Sequence, residues 1–244
     1  MDILGTIAVG LLIVLALVRQ RNVDRRQLRH FVASVVKDGN TGKAAVSRLA
    51  ARIFELPKGP DPIWACRFFA GFGASPGAII KAGACCSGKT RLLILSLAEL
   101  GIRAYQITLY HEEGQAQHCL AEVHVDNECL LVDPFYGIYL TATEGRGMSL
   151  RGLQRGLQPI QVPFTASPKC GYPKHYYYRF DYCASKTANW TCSAPRRAAY
   201  SILYRFTRGA IDYMRVPAWF EWPQNLGIIT CTIVLVSLVA LVSV

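Results

Sequence analysis

The stretch Gly83-Ala-Cys-Cys-Ser-Gly-Lys-Thr90 carries the letters of two chemistries. It fits G-x-x-x-x-G-K-[ST], the loop whose backbone N–H groups cradle phosphates while its lysine and hydroxyl, here Lys89 and Thr90, meet phosphate and magnesium. The same letters set Cys86 just before a long apolar helical run, where the positive end of the helix dipole favours a thiolate. A nucleophilic thiol needs a base, and the base needs a group to orient it. Downstream, His118 begins the run Cys119-Leu-Ala-Glu-Val123 and Asp133 ends Cys129-Leu-Leu-Val-Asp133. Cys86, His118 and Asp133 together would perform acyl transfer through a thioester. Lys89 and Thr90, with Asp133 as the magnesium-binding acid, would act on phosphates.

The elements that must position these residues favour the thiol. Arg91 to Leu100 reads as a leucine-rich helix closed by Gly101 in the place of a C-terminal glycine cap. Tyr105, Ile107 and Leu109 alternate as strand residues within Ala104 to Tyr110. Leu120–Val125 and Cys129–Val132 flank the polar connection Asp126-Asn-Glu128, which is a hairpin signal. In such a hairpin His118 and Asp133 fall at the same spatial end and can meet. A phosphate loop instead requires a preceding buried strand and a parallel sheet built by helical crossovers. Ala78-Ile-Ile-Lys81 is short for that strand, and too little βα alternation follows. Nucleotide binding at Gly83–Thr90 stands as the alternative.

The series Gly83-Ala-Cys-Cys86, Leu100-Gly-Ile-Arg-Ala104, His118-x-x-Ala-Glu-Val123 and Leu131-Val-Asp-Pro134 resembles the transglutaminase-like superfamily of papain-related cysteine enzymes. The resemblance spans about residues 75 to 140. It implies an α+β fold whose papain-like core packs a nucleophile helix on an antiparallel sheet. It also implies roles: Cys86 as nucleophile, His118 as general base, Asp133 as orienting acid, and the Cys86 backbone N–H as part of an oxyanion hole. The substrate would be a protein, peptide or other amide, cleaved by water or transferred to an amine. This chemistry requires no cofactor and no metal. A non-catalytic scaffold on the same fold is a further alternative.

Other chemistry-bearing residues have structural readings. Cys85 reads as a small buried residue, His111 and His124 as strand-surface or loop residues, and His175, among tyrosines, as packing or a substrate contact. Glu122 is expected to pair with a cation such as Arg103. Nine cysteines, at 66, 85, 86, 119, 129, 170, 183, 192 and 231, contain no C-x-x-C pair, so zinc is not expected. Their odd number and irregular spacing suggest reduced thiols in a cytoplasmic domain, although Cys170, Cys183 and Cys192 could pair if the domain faced outward.

Both ends of the chain are uncharged and apolar. Ile3–Val18 and Leu226–Val244 read as membrane anchors, the second preceded by the interfacial aromatics Trp219, Phe220 and Trp222. Arginines at 19, 21, 25, 26 and 29 follow the first anchor, and Arg205, Arg208 and Arg215 precede the second. By the positive-inside rule the middle of the chain faces the cytoplasm, which suits a bacterial-type inner-membrane protein. All 27 basic and 15 of the 16 acidic side chains lie between the anchors, a balance suited to an anionic leaflet. No helix-turn-helix, RNP-like strand or zinc-finger spacing supports a nucleic-acid partner. The expected organisation is an anchor at 1–18, a helical part at 19–74, the catalytic core at 75–140, a basic tyrosine-rich region at 141–225 with a surface helix over Ala194–Tyr213, and an anchor at 226–244.

Overall fold

Asp126 and Asn127 have φ of 51° and 60°, and the residues flanking them, Val125 and Glu128, face each other across two strands. Two successive left-handed residues make the tight turn whose twist matches a hairpin, and Asp and Asn tolerate that conformation better than other side chains. In a computed structural model describing residues 3–36, 41–62, 73–111, 114–142, 145–164, 176–187 and 194–242, this hairpin joins β2 (Ala116–Val125) to β3 (Glu128–Asp133). Cys66, Cys170, Cys192 and His175 lie outside the described residues.

Four more strands extend the hairpin: β1 (Arg103–His111), β4 (Ile138–Thr141), β5 (Ile160–Pro163) and β6 (Phe180–Lys186). The order is β5-β4-β3-β2-β1-β6, and every pair is antiparallel. The fold is α+β, and β5 and β6 come from the region expected to follow the core. The sheet thus takes strands from both the 75–140 and the 141–225 stretches.

Both faces of the sheet are covered, so its alternating residues are apolar on each side. Ala121, Val123, Val125, Leu130 and Val132 pack with Leu92, Leu93, Ile94, Leu95 and Leu97 of α4 (Cys86–Glu99). Leu109, Leu120, Leu131 and Ile138 turn the other way, towards Met148, Leu153, Tyr177 and Phe180. Each Val, Leu, Ile, Met or Phe among them contributes about 1.5–3 kcal/mol on burial. Helix α4 is buried on all sides from Gly88 to Leu97, which explains its lack of a polar face. It ends as its sequence suggests: Gly101 has φ 74°, its N–H bonds Ala98 O at 3.1 Å, and the Ile102 N–H bonds Leu97 O at 2.9 Å.

Helix α1 runs unbroken over Ile3–Val35, so no structural boundary falls at residues 18 and 19. Its second half buries Leu28, Phe31 and Val32 beside Val46, Leu49 and Ile53 of α2 (Gly42–Phe54). Helix α3 is the short Pro76–Ala82, and α5 spans Leu150–Gln154. Arg25 and Arg29 donate to the two carboxylate oxygens of Glu99 at 3.0 and 2.8 Å, so part of the basic cluster fastens α1 to the end of α4.

The expected surface helix is α6 (Ala194–Thr207), followed by a 3-10 turn at Ala210–Tyr213. Ile202 and Phe206 are exposed along it. Helices α1 and α7 (Pro223–Val242) are long and apolar enough to cross a membrane, with Leu12, Leu15, Ile233 and Val236 exposed. They lie antiparallel: Gly10 abuts Leu235, and the Gln224 amide donates to Asp24. Trp222, expected at a bilayer interface, is instead buried in the core, whereas Trp219 and Phe220 stack on each other at its edge.

Because Asn127 pays for its positive φ, Asn127→Gly should stabilise the protein by about 0.5–1 kcal/mol and Asn127→Val should destabilise it by about 1–2 kcal/mol. Thermal unfolding of the detergent-solubilised chain reads both.

Candidate active site

Cys86 is the first residue of α4, and Cys85 is its N-cap in extended conformation. Five contacts fix this helix start. Asp61 accepts the Cys85 N–H on Oδ1 at 3.0 Å and the Ser87 hydroxyl on Oδ2 at 2.8 Å. The Ala84 N–H donates to Pro57 O at 3.2 Å. Lys89 Nζ donates to Phe54 O at 2.9 Å and Leu56 O at 2.6 Å. Gly88 is needed here, since a Cβ would strike Asp61 and Ala84. From the other side, the Thr90 hydroxyl donates to Cys119 O at 3.1 Å, tying α4 to β2.

The lysine and threonine of the phosphate-loop pattern are thus structural. Lys89 is fully buried with its ammonium turned to two carbonyls, and burial, followed by repulsion from Lys58, lowers its pKa to about 8 against a weaker pull from Asp133. Where a phosphate loop needs a strand, the chain forms helix α3. The sheet beside it has no parallel strand pair among the described residues. This differs from the strand–loop–helix on a parallel sheet in which a phosphate loop works.

The hairpin brings His118 and Asp133 together. His118 Nε2 lies 2.5 Å from Asp133 Oδ2, with both side chains buried. The imidazole is also near enough to the Cys86 side chain for the two to influence each other's charge. With Nε2 engaged by the carboxylate, Nδ1 is the nitrogen left for the thiol. Asp133 has every lone-pair direction used: Oδ1 accepts the N–H groups of Phe135 at 2.9 Å and Tyr136 at 3.1 Å, and Oδ2 also accepts the Tyr177 hydroxyl. Rings pack around the imidazole, Tyr136 at 5.3 Å and Phe180 stacked at 6.4 Å between centroids.

Electrostatics follow from these contacts. Burial by itself would lower the His118 pKa, but the charge and hydrogen bond of Asp133, then Cys86, carry it up to about 10. Burial would raise that of Asp133, yet His118, Tyr177 and the Tyr136 N–H hold it below the usual carboxylate range. The raised histidine stabilises the fold in full below its ordinary 6.5, and this contribution is lost as pH rises through about 10. The depressed aspartate stabilises above its ordinary 3.8 and loses that contribution on acidification through its lower folded value.

The two adjacent cysteines are placed differently. Cys85 is half-buried, 3.2 Å from Ser87 Oγ, and its hydrogen bond to Cys86 and then its burial push its pKa far above the thiol range. Cys86 faces the histidine. Glu122 pairs with Arg215 at 2.8 Å and His124 at 3.0 Å, not with Arg103, and accepts the Leu150 N–H at 2.9 Å. Donor atoms of Glu122, His124 and Cys129 lie within 4.8 Å of one another, a set a metal could use, but Arg215 already supplies the positive charge there. His124 is half-buried rather than a surface residue, and His111 ends β1 away from these groups.

Asp61 and Tyr177 belong to the site without having been singled out in the sequence. Neither is near its partners along the chain, 24 residues for Asp61 to Cys85 and 44 for Tyr177 to Asp133.

No protein-family model matches the chain, and no curated protein does. Among solved structures, it aligns with a crystal structure of a "putative protease" from Parabacteroides distasonis at 12% identity and a TM-score of 0.35, covering 64% of this chain and 31% of the other. The chain thus spans about a third of that protein's length.

Asp61→Ala should destabilise the protein by about 1–2 kcal/mol, as loss of a helix cap does, and slow alkylation of Cys86, while Asp61→Asn retains the Cys85 contact and most of both properties. Unfolding and mass-mapped thiol labelling measure the two effects. Lys89→Met should cost about 1–3 kcal/mol by leaving two carbonyls without their donor, and magnesium-ATP should leave the wild-type melting temperature unchanged.

Proposed function

We propose that this chain is a membrane-anchored, transglutaminase-like cysteine enzyme acting on amide or peptide bonds. The reading rests above all on the buried His118–Asp133 pair, whose imidazole interacts with Cys86 at the first position of a buried helix. The sequence resemblance assigns the same three residues, and a helix packed on an antiparallel sheet is the arrangement that a papain-like core would use.

Cys86 reacts as the thiolate beside a His118 imidazolium that Asp133 stabilises. The thiolate sulfur adds to the amide carbonyl, and the developing oxyanion is met at the α4 N-terminus, the Cys86 backbone N–H among its donors. Collapse breaks the C–N bond, His118 hands its proton to the departing amine, and a thioester remains. Water or a second amine then gives up a proton to His118, attacks the thioester and expels the Cys86 thiolate, which restores the starting thiolate–imidazolium pair. Water yields hydrolysis and an amine yields transamidation. Asp133 stays ionised throughout, held by two backbone N–H groups and the Tyr177 hydroxyl.

The two apolar helices would hold this domain at a bilayer, on the cytoplasmic side by the arginine bias. Their antiparallel packing puts Ile3 and Val242 at the same end of the helix pair.

Iodoacetamide labelling with mass mapping tests the site. At about pH 6, Cys86 should react roughly tenfold or more faster than Cys85, and His118→Ala should remove that advantage. Equal rates at the two cysteines, or no response to His118→Ala, would contradict the assignment.

A further inference from the structure

The rim of the site carries a cation whose placement is unusual for a surface lysine. Lys58 is exposed, yet its main chain bridges Ala84, two residues before Cys86. Its Nζ lies 4.7 Å from the Phe135 ring centroid, 5.3 Å from Phe54 and 5.4 Å from Tyr136. An exposed ammonium ordinarily stays in water on a mobile stem, whereas three π-faces hold this one in place. Two of those rings also border the base, with Phe135 at 6.2 Å and Tyr136 at 5.3 Å from the His118 ring.

No carboxylate lies within ion-pair distance of Lys58 among the described residues. The nearby acids are engaged elsewhere, Asp61 by Cys85 and Ser87, and Asp133 by His118 and Tyr177. Beneath Lys58 the buried Lys89 ammonium sits 5.8 Å from the same Phe135 ring and meets only carbonyl oxygens in its hydrogen bonds. Asp133 thus answers the imidazolium and Asp61 the start of the 14-residue helix, and neither pairs with the Lys58 ammonium. A neutral amide substrate gives Lys58 no partner. One carrying a negative charge does.

We propose that Lys58 sets substrate preference at this site, and that the favoured acyl donors are amides or peptides bearing a carboxylate close to the reacting carbonyl. The inference rests on the acyl-transfer reading of Cys86 and His118. The carboxylate would sit against the Lys58 ammonium at the rim while the carbonyl reaches the α4 N-terminus. The charge contact orients the substrate and takes no part in bond making.

Iodoacetate and iodoacetamide separate the two claims, because they share a leaving group and differ by one negative charge. Their rates at Cys86 would be measured on the full chain in detergent for the wild type, Lys58→Gln and Lys58→Arg. The iodoacetate-to-iodoacetamide ratio should fall about three- to tenfold in Lys58→Gln and stay near the wild-type value in Lys58→Arg. In the wild type it should also fall as salt rises from about 10 to about 500 mM. Brisk iodoacetamide labelling of Cys86 with a ratio indifferent to Lys58→Gln overturns the role of Lys58 and leaves the acyl-transfer reading standing. Slow iodoacetamide labelling of Cys86 in all three proteins overturns both.

Discussion

A charged imidazole and a charged carboxylate, both buried, can coexist only if each satisfies the other and every remaining polar atom finds a partner. That demand on His118 and Asp133 organises much of the fold. The β2–β3 hairpin must hold its register so that their side chains meet. The chain after β3 must turn sharply so that the Phe135 and Tyr136 N–H groups reach Asp133, and the segment before β6 must return across the sheet to deliver Tyr177. Taking away one member would leave an unpaired charge in the interior, which costs far more than the pair contributes.

The second constraint falls on α4. A nucleophile at the first position of a helix is useful only if that end does not fray, and Cys85 offers no side-chain cap. The loop from Phe54 to Asp61 takes over that task through carbonyls facing Lys89 and a carboxylate facing Cys85 and Ser87. The same loop carries Lys58. One short segment therefore fixes the thiol and supplies the charge at the rim of the site.

Contacts local in sequence, or governed by strand alternation, were legible in advance. Gly101 as a helix cap, the Asp126-Asn127 turn and the meeting of His118 with Asp133 all follow from spacing and period. Asp61, Tyr177 and Arg215 were not, because each reaches its partner across a long loop and leaves no periodic trace. The pattern Gly83–Thr90 misleads for a physical reason: a glycine admitting a close neighbour, a lysine and a threonine are also what stitching a buried helix to its surroundings requires. Trp222 misleads similarly, since an aromatic before an apolar helix can serve a bilayer interface or a protein core, and the choice depends on the fold of α4 beneath it. The strands β5 and β6 were missed because short edge strands on a polar background carry little alternation.

The charge state of His118 is the point on which the account turns. Nitrogen-15 NMR of histidine-labelled protein, titrated from about pH 5 to about pH 11 with His118→Ala to assign the signal, reads it without any substrate. His118 is expected to remain doubly protonated through neutrality and to lose its proton near 10. Titration at or below the ordinary histidine value of 6.5 would show that burial outweighs Asp133, and an imidazolium at neutral pH would then have no place in the chemistry.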